Sequence, residues 1–227
     1  MTTRMKYFAI AVDLGKPAES TAVALVERRD PPNWDKPYKS DESIYHVRGL
    51  HRFPPGMTYL KLAGEIDTIL KGPEVSKVLN QTTEPLENGF PAPVEVQSDW
   101  VVDQTAVGAP VAKLVLDRLG VHTCRRVIFG SGDRVIPDGG VYCIPKEFLI
   151  SQMQVLLERG KLQFDNNHPE SPQVKQELLN YQNTKTPSAA QMSHNIWRQR
   201  PNDDRVFAVG LAAWRLQSPI PFLCDWL

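Results

Sequence analysis

Near the N-terminus an unbroken apolar run, Tyr7 to Asp13 (YFAIAVD), ends in a carboxylate and is followed by Leu14-Gly15. A short apolar run closed by a turn signal predicts a buried strand, with Asp13 at its C-terminal end. A second β-like run, Thr21 to Val26, follows a short polar turn, so the two runs predict a hairpin. The Pro-rich stretch Asp30 to Asp41 (DPPNWDKPYKSD) breaks all periodicity and reads as a loop. Ile44 to Phe53 reads as a third strand. Between Met57 and Leu70, Leu60, Ala63, Ile66 and Ile69/Leu70 recur at helical spacing until Gly72-Pro73 stops the helix.

From Asn80 to Pro93 no apolar pattern survives, and an exposed excursion is expected. Trp100 to Asp103 (WVVD) is again an apolar run closed by a carboxylate. It precedes a helix over Gly108 to Leu119 with Val111, Leu114, Val115 and Leu119 on one face and Gly120 as its stop. Cys124 to Phe129 predicts the next strand, Gly130 to Gly140 a turn-rich loop, and Pro145 to Glu158 a helix with Pro in its first turn. Leu162 to Phe164 adds a small strand, Pro172 to Tyr181 a weak helix, and Asn183 to Arg200 a polar loop. The last strong element is a helix over Asp203 to Leu216, with Val206, Val209/Gly210, Ala213 and Trp214 at helical spacing. Its first turn carries Asp203 and Asp204, which suits the helix dipole. The order βββα followed by βα units predicts an α/β fold, and no repeat of 20–50 residues is visible.

Length changes this picture only by bounding it: 227 residues suit one large core, and a single domain over residues 1–227 is expected. Lys plus Arg equals Asp plus Glu at 26 each, so net charge argues neither for nor against a polyanionic partner. Three cysteines, Cys124, Cys143 and Cys224, with no C-x-x-C pair, speak against a disulfide framework and a zinc site. A cytoplasmic setting fits that usage. No signal-peptide h-region and no run of about 18 apolar residues occurs, so no membrane association is expected.

The chemistry resides in carboxylates. Asp13 closes the first strand, Asp103 closes a central strand, and Asp203 with Asp204 opens the final helix. If the two strands are neighbours, their C-terminal ends meet at one sheet edge, where open α/β sheets keep their sites. Clustered carboxylates repel one another unless a cation neutralises them, which predicts a hard divalent ion such as Mg²⁺ or Mn²⁺. Two such ions roughly 3.5–4 Å apart can hydrolyse a phosphodiester without a protein nucleophile. Each Asp alone also has a structural explanation, as a turn former after a strand or a cap in a helix's first turn.

Four stretches resemble, in order, the nuclease domains of phage terminase large subunits. They are AVDLG-x5-TAVALVE (Ala11 to Glu27), VVDQTAVGAPVAKLVLDRLG (Val101 to Gly120), IPKEFLISQMQVLLERGKLQF (Ile144 to Phe164) and NDDRVFAVGLAAW (Asn202 to Trp214). HRFPPGMTYLKLAGEIDTIL (His51 to Leu70) resembles the family's strand-to-helix passage. The resemblance implies an RNase H-like mixed sheet, three antiparallel strands and then parallel ones, flanked by helices. It also implies a two-metal endonuclease cutting double-stranded DNA during viral genome packaging. Asp13, Asp103 and one or both of Asp203 and Asp204 would be metal ligands and catalytic residues, with Asp204 the favoured member of the pair. Asn202 stands where many relatives carry His or Gly.

Lys146 matches a basic residue of the family's helix start and is a candidate phosphate contact. His194, Trp197, Arg198, Arg200 and Arg205 form a basic-aromatic group ahead of the final helix, and its arginines are candidate DNA contacts. Glu65 is a candidate further acid, with a solvated helix face as its plainer explanation. No G-x-x-x-x-G-K-[ST] phosphate loop occurs, and the first strand begins within a few residues of the N-terminus. The packaging motor is therefore expected on a separate ATPase, with a small terminase subunit and a portal as further partners. Two other readings compete: a non-catalytic DNA-binding or assembly module of the same fold, and an actin-like kinase or ATPase whose first strand also ends in Asp-x-Gly.

Overall fold

The computed structural model of the chain describes residues 4–30, 42–85, 91–164, 169–183 and 203–218. The first three strands, β1 (Arg4–Asp13), β2 (Thr21–Arg29) and β3 (Ile44–Phe53), form an antiparallel meander. Helices α1 (Tyr59–Lys71) and α2 (Pro73–Leu79) follow, then β4 (Thr83–Pro85) and the long β5 (Pro91–Asp103). The chain continues through α3 (Gly108–Leu119), β6 (Arg125–Gly130), β7 (Ile136–Asp138), β8 (Val141–Pro145), α4 (Lys146–Glu158) and β9 (Leu162–Phe164). Helices α5 (Ser171–Asn183) and α6 (Asp204–Gln217) complete it.

The strands lie side by side in the order β7-β8-β6-β5-β1-β2-β3-β9, with β4 paired to β5 off this path. β1 runs parallel to β5, β5 to β6, and β6 to β8, while β2 and β3 are antiparallel to their predecessors. This is an α/β fold with the RNase H-like mixed sheet, helices flanking both faces. Strand alternation divides β1 between the two sides. Ala9 and Ala11 belong to one core with Ala22, Ala24 and α6, whereas Phe8, Ile10 and Val12 pack with Leu62, Ile66 and Val115 of α1 and α3. The first core is lined with alanines at its centre because α6 lies directly on β1 and β2. That helix is buried from Val206 through Leu216, and as expected of a helix covered all round its buried span is apolar except for Arg215.

Helix ends follow local chemistry. Thr58 accepts a hydrogen bond from the Lys61 amide at the start of α1, and Gly120 adopts the left-handed conformation that closes α3. Gly72-Pro73 both ends α1 and starts α2, since Pro suits the first helical turn. Where the sequence predicts irregular chain, the structure differs. Thr83 to Pro85 and Pro91 to Pro93 pair with each other, Ile136 to Asp138 forms β7, and Val141 to Pro145 adds a strand that the sequence pattern does not announce. These segments are stabilised by pairing, so their own periodicity is weak. The stretches around Asp30 to Asp41 and Asn183 to Arg200 expected as loops fall largely outside the described residues. None of the helices described is long and apolar enough to cross a membrane.

Candidate functional site

The β1–β5 pairing sets Asp13 directly beside Asp103 at the C-terminal ends of two adjacent parallel strands. Both continue the alternation of Ala9, Ala11 and Val101, so both side chains stand on the face covered by α6. Asp103 is buried and Asp13 only partly exposed. The two side chains lie within interaction distance, and the Asp13 side chain works to lower the Asp103 carboxyl against the effect of burial. Burial first, and then the Asp103 charge beside it, push the Asp13 carboxyl well above the usual carboxylate range. Asp204 and Asp203 push it the same way and Lys146 opposes them. Burial also raises Asp103, against two hydrogen bonds that Thr105 donates to its Oδ1 from backbone and hydroxyl.

Helix α6 begins at this spot. Asp203 precedes it and makes no capping hydrogen bond to its amides, so the capping role that would explain an acid there is not the one it plays. Its Oδ2 lies 4.0 Å from the Lys146 ammonium. Asp204 Oδ2 accepts a 2.9 Å hydrogen bond from Arg52 Nε. Arg52 is a residue that sequence reasoning missed. Register alone brings it here, because Asp13 pairs with Ala22 and Ala22 with Arg52, extending the row Asp103–Asp13–Ala22–Arg52 across four strands. A bulge at Leu25/Val26 shifts the β2–β3 register, so no count along the chain finds that partner.

The four predicted aspartates are thus brought to one end of the sheet, within one another's electric field. Among the described residues no three His, Cys, Asp or Glu side chains stand gathered as a finished metal site. Asp13 and Asp103 form the contacting pair, while the helix acids are turned to Arg52 and Lys146. The donor set fits a hard divalent ion: carboxylate oxygens whose mutual repulsion a cation would relieve. Next to Asp103, the buried Gln104 Oε1 has no hydrogen-bond partner among the described residues, which leaves a further oxygen without a donor.

Other candidates are placed elsewhere. Arg205 donates to Glu170 and Glu177 rather than facing outward, and only 13 % of its side chain is exposed, too little for a free phosphate contact. Glu65 is exposed on α1, across the sheet from the carboxylates. Lys146 is turned inward. His194, Trp197, Arg198, Arg200 and Asn202 lie outside the described residues, as does Cys224. Cys124 and Cys143 are free thiols, and burial pushes the Cys124 thiol up to about 11, which leaves it protonated and unreactive.

The turn after Asp13 is tightly built. Gly15 donates to the Thr21 hydroxyl, and a β-carbon added at Gly15 would lie 2.1 Å from the Ser20 carbonyl oxygen. Backbone must move to admit it. Gly15→Ala is expected to destabilise the protein by about 1–3 kcal/mol, as overpacking does, measured as a lower urea midpoint at unchanged slope.

Comparison with protein families, with curated proteins and with solved structures finds no match for this chain.

Proposed function

We propose that this chain is a metal-dependent endonuclease that hydrolyses double-stranded DNA, of the kind its sequence resembles in the nuclease domains of terminase large subunits. One observation carries the reading. Asp13 and Asp103 are paired side by side at the C-terminal ends of adjacent parallel strands, and the first turn of a buried helix delivers Asp203 and Asp204 to the same point. Nothing structural requires Asp13 there: it sits against a second carboxylate, in partial burial, at an energetic disadvantage. Strongly perturbed acids placed against one another at a sheet end favour function.

Asp13, Asp103 and Asp204 would hold the cation, with Asp203 beside them. Bound Mg²⁺ or Mn²⁺ would supply Lewis acidity toward water and toward the phosphodiester's leaving oxygen. The chain's own contribution is orientation. Thr105 fixes Oδ1 of the Asp103 carboxylate with two hydrogen bonds, and the Thr105 hydroxyl itself accepts from the Phe129 amide at 2.6 Å. Arg52 holds Asp204 from the neighbouring meander. Rigid strand ends and a buried helix N-terminus keep these groups from spreading under their own repulsion.

The purified chain is expected to nick supercoiled plasmid with Mn²⁺ and to be silenced by a chelator, with ATP making no difference. DNA binding that persists unchanged in chelator without any nicking would favour the non-catalytic module. Saturable ATP binding with hydrolysis would favour the actin-like alternative.

A further inference from the structure

Lys146 occupies a position that its own helix disfavours. It is the first residue of α4, directly after Pro145, where the helix dipole presents positive charge and a cation costs about 0.3–1 kcal/mol. The compensating interactions are specific. The ammonium lies 4.1 Å from the centroid of the Phe207 ring and 5.0 Å from that of Phe129, with 30 % of its side chain exposed. It stands 4.0 Å from Asp203 Oδ2. Its field also reaches both Asp13 and Asp103. Phe207 belongs to α6 and Phe129 to β6, so both rings that hold the ammonium are mounted on elements that build the carboxylate site. Aromatic faces and the carboxylates together outweigh the dipole.

We propose that Lys146 is the resident counterion of the carboxylate cluster, seated over Phe207 and Phe129, and that a divalent cation must compete with its charge to bind. Lys146 is thereby a positioning residue rather than a contact for the DNA backbone. It holds the metal-free cluster together, keeps Asp203 in place, and lowers the affinity for the ion. This inference rests on the metal-site reading above. Lys146→Met separates the two, because methionine keeps the apolar contact with both rings and removes only the charge.

The test is a pair of measurements on the full chain, calorimetric titration with Mn²⁺ and thermal unfolding without metal, for wild type, Lys146→Met and Asp13→Asn. The expected result is that Lys146→Met binds Mn²⁺ roughly tenfold more tightly, as loss of a competing charge a few ångströms away requires. Its metal-free form is expected to melt below wild type. Wild type should bind Mn²⁺ and Asp13→Asn should not. If wild type binds while Lys146→Met binds equally or more weakly, the counterion role is overturned and the metal site stands. If wild type does not bind Mn²⁺, the metal-site reading falls and takes the counterion role with it. Should Lys146→Met fail to fold, Lys146→Gln carries the same comparison, and Lys146→Arg should restore the wild-type affinity.

Discussion

Asp13→Asn is expected to lower Mn²⁺-dependent nicking of supercoiled plasmid by more than about 100-fold while raising the unfolding temperature of the metal-free protein. The size follows from the proposed role: losing only an outer partner of a ligand typically costs 10–100-fold, and losing the ligand itself should exceed that. The sign of the stability change follows from the site's geometry. Asp13 is pushed up by burial and by Asp103, so its ionised form works against the fold, and stability falls as pH rises above the carboxyl's unfolded value. An asparagine there keeps a donor toward Asp103 and carries no charge. Asp103→Asn should lose activity equally, with stability near wild type, since its side-chain oxygen can still accept from Thr105. An acid kept for the fold would behave in the opposite way, losing stability and sparing activity. Plasmid nicking and calorimetric melting on the same preparations decide between them, and retained nicking by either variant would refute the site assignment.

The second large effect lies at the other end of α6. Arg215 is fully buried, and its Nε donates to Asp99 Oδ2 at 2.7 Å, with Asp99 only 2 % exposed. Arg125 lies 3.5 Å from the same oxygen. Burial pulls the Arg215 guanidinium down and the Asp99 charge holds it up. Breaking a buried pair from one side leaves a charge that water cannot reach, and Arg215→Met should cost about 3–5 kcal/mol. For a chain of this size that is roughly 6–20 °C in unfolding temperature. Adding Asp99→Asn should recover part of the loss, because much of the cost is a buried carboxylate left with Arg125 alone as its counter-charge. Nicking per folded molecule should be unchanged in both variants. A single variant that melts with wild type would mean that Arg125 alone suffices for Asp99.

The difference between Asp99 and Asp103 shows how far the sequence reaches. Both lie on one strand, and Trp100 to Asp103 is the part that the apolar pattern reveals. Position at the strand end singles out Asp103, whereas nothing local tells that Asp99, four residues earlier, is buried against Arg215 of α6 while Asp103 lies beside Asp13. Lys146 was visible as a basic residue at a helix start, but its direction was not. A lysine turned outward to phosphate and one turned inward over two rings have the same local sequence. Arg205 illustrates the same point, because its partners Glu170 and Glu177 lie 35 and 28 residues away.

Local periodicity therefore determined the main elements, their order and the three places where a carboxylate ends or begins one. Those depend on contacts within a few residues, which a single sequence expresses directly. Short strands such as β4, β7 and β8 escaped it, because pairing with a neighbouring strand, and not a periodicity of their own, is what makes them strands. Only the tertiary structure decided that β1 lies against β5 in the register that joins Asp13 to Asp103, and that a bulged meander brings Arg52 to Asp204. Strand register is set by which faces can be buried together, and a slip of one residue would turn every side chain to the other face. The acids of this site are written in the sequence; their neighbours, and so their charge balance, are properties of the packed sheet.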